Sequence, residues 1–329
     1  MCGRAPTGWE TIRTRADGRV LYATFDAPPI NLIGPELVRD LVELIQVLDT
    51  PSGFGAVVFD SADPDFFMPH VDLTKVAEYT AEAAKAGGPG DASLGMLFQR
   101  LSRLPVVTIG KLRGRARGAG SEFLLACDVR FASREHAVLS QPEVGFGAPP
   151  GAGGVQRLAR LMGAGRALEV LLSADDYGAE LAERYGWINR AVPDAELDAF
   201  VDRFSHRVAR FPADAVTATK AAVAHATAPA DDELRAAAVV FQHFVREGAV
   251  GRRTALLMQR GLQTRGETEL GLGDAVGSLP PTGHAARCPE GARISRLSRP
   301  PVSSPFPRRA PTTSRCGAPE RTTDGSGLT

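Results

Sequence analysis

The chain is 329 residues long, with 38 Lys plus Arg against 38 Asp plus Glu and a formal net charge of zero. An apolar share of 43% supplies enough material for a core and excludes full-length disorder. Balanced charge argues against a nucleic-acid partner, whose phosphates need a basic surface.

The four cysteines, Cys2, Cys127, Cys288 and Cys316, form no C-x-x-C pair and no zinc-spaced cluster with histidine. No metal site is therefore expected, and a reducing compartment, the cytoplasm, is. No apolar h-region opens the chain, and no run approaches the roughly 18 apolar residues of a membrane helix. Neither a secretory signal nor a membrane partner is expected.

In chain order, residues 20–26 alternate as a strand. Residues 35–48 place Leu37, Leu41, Leu44, Ile45 and Leu48 on one helical face, with Pro35 at the helix start. Residues 56–60 form a short buried strand, and 74–92 are Ala/Gly-rich and polar, a surface helix and loop. A helix over 94–104 leads to a strand over 105–109, a glycine-rich turn, a short apolar helix over 121–126, and a strand pair over 129–132 and 137–139. A second glycine-rich turn spans 145–154. Beyond it the pattern is helical: short helices over 155–162, 166–172 and 179–185, then longer ones over 194–210, 214–225 and 231–262, each opened by an acid. A short strand over 187–192 interrupts them. The implied organisation is a strand-bearing core over 1–192, a helical region over 193–279 and a tail over 280–329. The tail holds eight arginines, no lysine, three acids and nine of the 24 prolines, with no helical or strand period. It is expected to be disordered, either as a plain extension or as a basic docking arm for an acidic partner.

The chemistry concentrates in the two glycine-rich turns. In Gly118-Ala119-Gly120-Ser121-Glu122 a buried strand runs through glycines into an apolar helix. Glycine permits positive φ and close backbone approach, and the unpaired first N–H groups of the helix suit an anion or a developing oxyanion. A dinucleotide fingerprint fails because Phe123 stands where the third glycine belongs, and no P-loop GK[ST] follows. A plain structural turn remains open. Glu122, in a helix otherwise of Phe, Leu and Ala, is either a partner of the helix dipole or a carboxylate facing the same cavity as the free amides. Gln141-Pro142-Glu143 adds a second carboxylate after a strand. Two carboxylates beside an oxyanion site suit hydration of an activated double bond: one takes a proton from water, the other delivers one to carbon.

The stretches PVVTIGKLRGRARGAGSEFLLACDVRFAS, SQPEVGFGAPPGAGGVQRLARLMG and AELAERYGWINRAV resemble the enoyl-CoA hydratase/isomerase (crotonase) superfamily, with weaker matches in DAPPINLI and FFMPHVDL. The resemblance spans residues 10–265. It implies an α/β fold, a crotonase-like spiral of ββα units with a helical C-terminal trimerisation region, and a homotrimer or hexamer. It implies an acyl-CoA thioester substrate, with no cofactor beyond the coenzyme A that the substrate carries. By motif position the thioester oxygen sits between the N–H groups of Val71 and Ala119, and Glu122 and Glu143 fall on the two hydratase carboxylates. Substrate-binding positions carried over are Pro29, Ile30, Asn31, His70, Asp72, Leu73, Gly118, Gly120 and Gly151.

One departure stands out. The family's Ala-Gly pair before the first donor is here Pro69-His70, so a loop of different shape is expected. His70 is read as an exposed loop residue, with a polar group in the acyl pocket as the alternative. One extra residue between Cys127 and Glu143 is assigned to the 134–136 turn. Asp72 is read as a loop cap, Asp128 as closing a helix-to-strand turn and Cys127 as inert packing. Arg115 and Arg117 are read as solvated arginines, His243 as a helix-face residue, and Arg252 and Arg253 as candidates for coenzyme A phosphates. The expected activity is 2-enoyl-CoA hydration. The alternatives are an enoyl-CoA isomerase or other enolate-forming enzyme, and a non-catalytic protein of the same fold.

Overall fold

Among the described residues, ten short strands alternate with thirteen helices. In chain order the strands are Ile12–Asp17 (β1), Val20–Phe25 (β2), Ala56–Ser61 (β3), Phe66–Met68 (β4), Val107–Leu112 (β5), Arg115–Arg117 (β6), Val129–Ser133 (β7), Val138–Ser140 (β8), Tyr177–Gly178 (β9) and Arg190–Val192 (β10). The helices are Pro35–Leu48 (α1), Val76–Gly87 (α2), Leu94–Ser102 (α3), Ala119–Ala126 (α4), Glu143–Phe146 (α5), Gly154–Ser173 (α6), Ala179–Tyr185 (α7), Asp194–Val208 (α8), Ala213–Thr227 (α9), Asp231–Arg246 (α10), Ala249–Gln259 (α11), Glu267–Leu270 (α12) and Leu272–Gly277 (α13). This computed structural model describes residues 4–87 and 89–281. The tail reading for 282–329 lies outside the described residues. Met1–Pro281 forms one compact unit.

The strands make two sheets, ordered β1-β2-β3-β5-β7-β10 and β4-β6-β8-β9. From β2 to β10 the first sheet is parallel; β1 is antiparallel to β2. The chain steps from one sheet to the other and then into a helix three times: β3, β4 and α2; β5, β6 and α4; β7, β8 and α5. Each step is a ββα unit, and repetition winds the chain into a spiral.

α1 runs over the predicted 35–48 and buries Leu37, Leu41, Leu44, Ile45 and Leu48. Proline at its first turn costs no helical hydrogen bond, because that N–H has no partner in a helix. The main core gathers these residues with a phenylalanine cluster around Phe123 of α4, whose ring centroid is 5.1 Å from Phe59, 5.5 Å from Phe25 and 5.6 Å from Phe98. A second core joins the other face of the first sheet, at Tyr22, Val58 and Phe131, to Leu197 and Val201 of α8. α4 is therefore pinned through Phe123, and its polar first turn is held in register with the sheets.

Several expectations change. The strands near 129–132 and 137–139 do not pair with each other: β7 lies in the first sheet and β8 in the second. The helix expected over 231–262 is two, because Gly248 takes φ of 77°, a left-handed value that ends a helix. The helices expected over 155–162 and 166–172 are both present within α6, separated by Gly163, whose φ of 78° and ψ of 164° are non-helical. The strand expected over 105–109 starts instead at Val107, past Pro105, which lacks a ladder donor. α2 is only partly a surface helix, since Tyr79, Ala83 and Ala86 are buried. Four strands, β1, β4, β6 and β9, escape the sequence pattern; three of them have three residues or fewer. No described helix is long and apolar enough to cross a membrane.

Candidate active site

The turn into α4 is built by glycines. Gly118 has φ of 50° and ψ of −125°, a conformation that β-carbon-bearing residues resist. A Cβ on Gly118 would stand 3.0 Å from Glu143 Oε1. One on Gly120 would stand 1.9 Å from the Met68 carbonyl, so only glycine lets α4 lie against β4. The Gly118 N–H donates to Ser140 O (3.0 Å) and the Glu122 N–H to Gly118 O (2.9 Å). The Ala119 N–H, at the positive end of the helix, donates to nothing among the described residues.

A second unpaired donor comes from the loop after β4. The Ile33 N–H donates to His70 O (3.0 Å), and the Asp72 N–H donates to Ile33 O (3.1 Å). In a planar trans peptide the N–H points opposite to the carbonyl it shares the plane with. Holding His70 O toward Ile33 therefore turns the Val71 N–H the other way. It too has no acceptor among the described residues, and Val71 and Ala119 line the same cavity.

Both carboxylates face that cavity, in different surroundings. Glu122 is buried, and its Oε1 accepts from the N–H groups of Ala152 (2.9 Å) and Gly154 (2.7 Å). Burial raises its carboxyl to about 7; the two backbone bonds and the charge of Arg157 oppose that rise. Glu143, at the start of α5, is raised well above the usual carboxylate range, first by burial and then by the charge of Glu122. Among the described residues its one side-chain partner is the Gln141 amide, with Nε2 3.3 Å from both carboxylate oxygens. The other amide atom, Gln141 Oε1, is buried without a partner.

The cavity has a volume of about 970 Å³. The carboxylates and unpaired amides lie in one wall. α10 and α11 form another, with Phe241, Val245, Val250 and Met258. His70, Leu73, Gly118 and Gly151 also line it. Pro29, Ile30, Asn31, Asp72 and Gly120 do not. Asn31 is instead a turn former in the left-handed region (φ 58°): Oδ1 accepts from Ala27 N (2.7 Å), and Nδ2 donates to Ser61 Oγ (2.8 Å) and Phe66 O (3.2 Å). Asp72 caps its loop by accepting from the Thr74 N–H (2.9 Å) and hydroxyl (2.6 Å). Asp128 accepts from Thr108 and Lys220 between strands and helix. Cys127 is buried, its thiol pushed up to about 12 by that burial. Residues 134–136 form an exposed turn between β7 and β8.

Two readings are corrected. His70 is buried, not exposed, because both ring nitrogens find partners: Nδ1 lies 2.7 Å from Val71 O and Nε2 lies 3.0 Å from Glu269 Oε1. Arg117 is not a solvated arginine. It is fully buried, paired through two nitrogens with Asp176 (2.7 and 2.6 Å), and donates to the carbonyls of Glu269 (2.7 Å) and Leu270 (3.0 Å). Arg253 does not face the cavity; it donates to the carbonyls of Gly145, Val276 and Pro280. His243 lies in the α10 wall of the cavity. Glu269 and Gln263 had no signal in the sequence, since both reach the site from the far end of the folded chain. Among the described residues no group of three or more His, Cys, Asp or Glu is placed to hold a metal ion.

The enoyl-CoA hydratase/isomerase family profile matches residues 15–255. A short-chain-enoyl-CoA hydratase from Clostridium acetobutylicum is 31% identical over 209 residues, 63% of this chain and 78% of that protein. A crystal structure from Streptomyces avermitilis, provisionally named an enoyl-CoA hydratase, is 65% identical with a TM-score of 0.83, over 84% of this chain and 99% of that one. An enoyl-CoA hydratase structure from Bacillus halodurans shares the fold at 21% identity, with a TM-score of 0.66 over 75% of this chain and 100% of that one. With this profile match over most of the described residues, and with two sheets wound from ββα units around the paired carboxylates, the chain belongs to the enoyl-CoA hydratase/isomerase family and has the crotonase fold.

Proposed function

We propose that this protein adds water across the double bond of a 2-enoyl-CoA thioester. One observation carries the reading: two carboxylates in unequal surroundings face a single cavity beside two backbone N–H groups with no acceptor among the described residues. Glu122 accepts two backbone hydrogen bonds, which favour its ionised form, whereas Glu143 has only a long amide contact and the repulsion of its neighbour. As pH rises through about 7 Glu122 gives up its proton first, and the pair is left with one proton, on Glu143. Glu122 takes a proton from water as the water oxygen bonds to the β-carbon. The π electrons move to the thioester oxygen, which the N–H groups of Val71 and Ala119 hold. The enolate then collapses as Glu143 gives its proton to the α-carbon. An oxyanion donor contributes on the order of 3 kcal/mol to such a step, and each acid or base about 10²–10⁴-fold.

The assembly proposed is a homotrimer or hexamer. In support, Val223 of α9 and Val239, Val240 and Phe244 of α10 are apolar and at least 41% exposed in the single chain. Light scattering tests it; a monodisperse monomer would end it.

The function is tested by following loss of enoyl-thioester absorbance with short- and medium-chain 2-enoyl-CoAs, wild type beside Glu143→Gln. Turnover in the wild type and a drop of about 10²–10⁴-fold in the variant are expected. Equal rates would remove Glu143 from its role. A wild type that leaves 2-enoyl-CoA untouched but moves the double bond of a 3-enoyl-CoA would replace hydration with isomerisation. Binding of neither thioester would favour a non-catalytic protein.

A further inference from the structure

The loop that presents Val71 is held by α12 and the turn before it. Glu269 of α12 has no exposed surface, and its Oε1 lies 3.0 Å from His70 Nε2. Its other oxygen accepts from the Gln263 N–H (2.9 Å). The Gln263 side chain grips the same loop one step further on: Oε1 accepts from the Leu73 N–H (3.1 Å), and Nε2 donates to Asp72 Oδ1 (3.0 Å). Gln263 itself has φ of 63°, a left-handed value rare outside glycine. The buried Arg117 anchors the segment by donating to the Glu269 and Leu270 carbonyls. Five side chains are thus spent on fixing the loop that carries Pro69-His70.

We propose that His70, as an imidazolium clamped by Glu269, is a positioning residue that holds the Val71 carbonyl and with it the backbone turn from which the Val71 N–H is presented to the oxyanion. Both of its ring contacts are acceptors, a backbone carbonyl and a carboxylate, and both bonds form together only when both nitrogens carry protons. The neutral ring gives up one of them. This inference rests on the function proposed above, in that Val71 N–H receives the thioester oxygen. It adds a chain of control: Glu269 keeps the ring charged, the ring holds Val71 O, and Ile33 holds His70 O from the other side. The charged groups around the ring are Glu269 on α12, Arg117 on β6 with its partner Asp176, and Glu143 across Gly118. Burial alone lowers the imidazole; the charge and hydrogen bond of Glu269 outweigh it, with a net shift upward. Activity that needs the imidazolium is lost as pH rises through that raised value.

The test pairs kinetics with a spectroscopic reading of the bound carbonyl. Butyryl-CoA labelled with ¹³C at the thioester carbon cannot be hydrated, so its stretching frequency on the protein reports donor strength independently of turnover. His70→Ala and Glu269→Gln are compared with wild type and Glu143→Gln. Glu269→Gln preserves shape and a hydrogen bond while removing the charge. The proposal predicts a fall in kcat of about tenfold or more for both loop variants with KM within about threefold. It also predicts loss of part of the carbonyl shift in both, and an alkaline limb displaced to lower pH in Glu269→Gln. Glu143→Gln loses turnover and keeps the full shift. Wild-type kcat and shift in Glu269→Gln overturn the proposal, whether or not His70→Ala folds. A wild type with the carbonyl shift but no hydration would instead overturn the hydratase reading and leave the role of His70 standing.

Discussion

The two unpaired N–H groups sit in the same cavity wall, yet they are fixed by opposite means. Ala119 is held locally: Gly118 sets the turn, the helix begins at once, and the backbone hydrogen bonds of the turn stay within a few residues or reach the adjacent strand β8. Val71 is held by residues distant in the sequence, with Ile33 on one side and Gln263 and Glu269, up to 199 positions away, on the other. Identical chemistry can thus be assembled from a short motif or from tertiary contacts, and the first kind is robust to changes elsewhere. The second exposes the donor to the stability of whatever holds it.

The largest effect that separates the two should come from the local donor. Gly118→Ala places a Cβ against the Glu143 carboxylate and forces alanine to φ of 50°. Steady-state hydration should fall by about 10²–10³-fold with the circular dichroism spectrum unchanged. Retained activity would show that the turn does not set this donor. Next, Gln263→Ala removes the amide grip on Asp72 and the Leu73 N–H. A loss of roughly tenfold in kcat is expected, since a small displacement of a positioning group costs that much; an effect equal to that of Gly118→Ala would erase the distinction drawn here.

A smaller effect lies in stability against pH. His70 is raised from its ordinary 6.5, so its contribution is complete below 6.5 and is lost as pH rises through the folded value. Glu269 is lowered from 4.5 by the His70 charge and hydrogen bond, although burial opposes this. Its contribution is complete above 4.5 and is lost as pH falls through the folded value. The Tm gap between wild type and Glu269→Gln should therefore be widest between those two ordinary values and shrink on either side. A flat gap across pH 4–9 would remove the ion pair from the account. The smallest effect should come from Gly163→Ala in α6, where φ is 78° and no atom lies near the added Cβ. About 1 kcal/mol of stability should be lost through backbone strain, measured by urea unfolding, with kcat unaffected.

What the sequence revealed follows the same division. α1 was legible to its ends because proline and the apolar spacing act within one helix. The turn into α4 was legible because glycine at a strand-to-helix junction has a narrow set of uses. Glu122 and Glu143 were legible as a pair because each sits in an otherwise apolar or motif-like context. The buried state of His70 was not, since its partner Glu269 carries no local mark of its role. The same holds for Arg117, which looks like a surface arginine until Asp176 and two carbonyls are brought to it. The break at Gly248 was hidden because the apolar spacing of α10 resumes in α11, and a single glycine can sit inside a helix at modest cost.

The clamp on His70 also orders events in time. During synthesis the strands and the α4 turn leave the ribosome well before residues 263–270. A nascent chain halted before Gln263 holds both carboxylates and the Ala119 amide, but the loop that carries Val71 then has the Ile33 bonds without the grip of Gln263 and Glu269. On the proposed mechanism the last twenty or so described residues thus act as a completion check: a product truncated before Gln263 would bind a thioester and turn it over poorly.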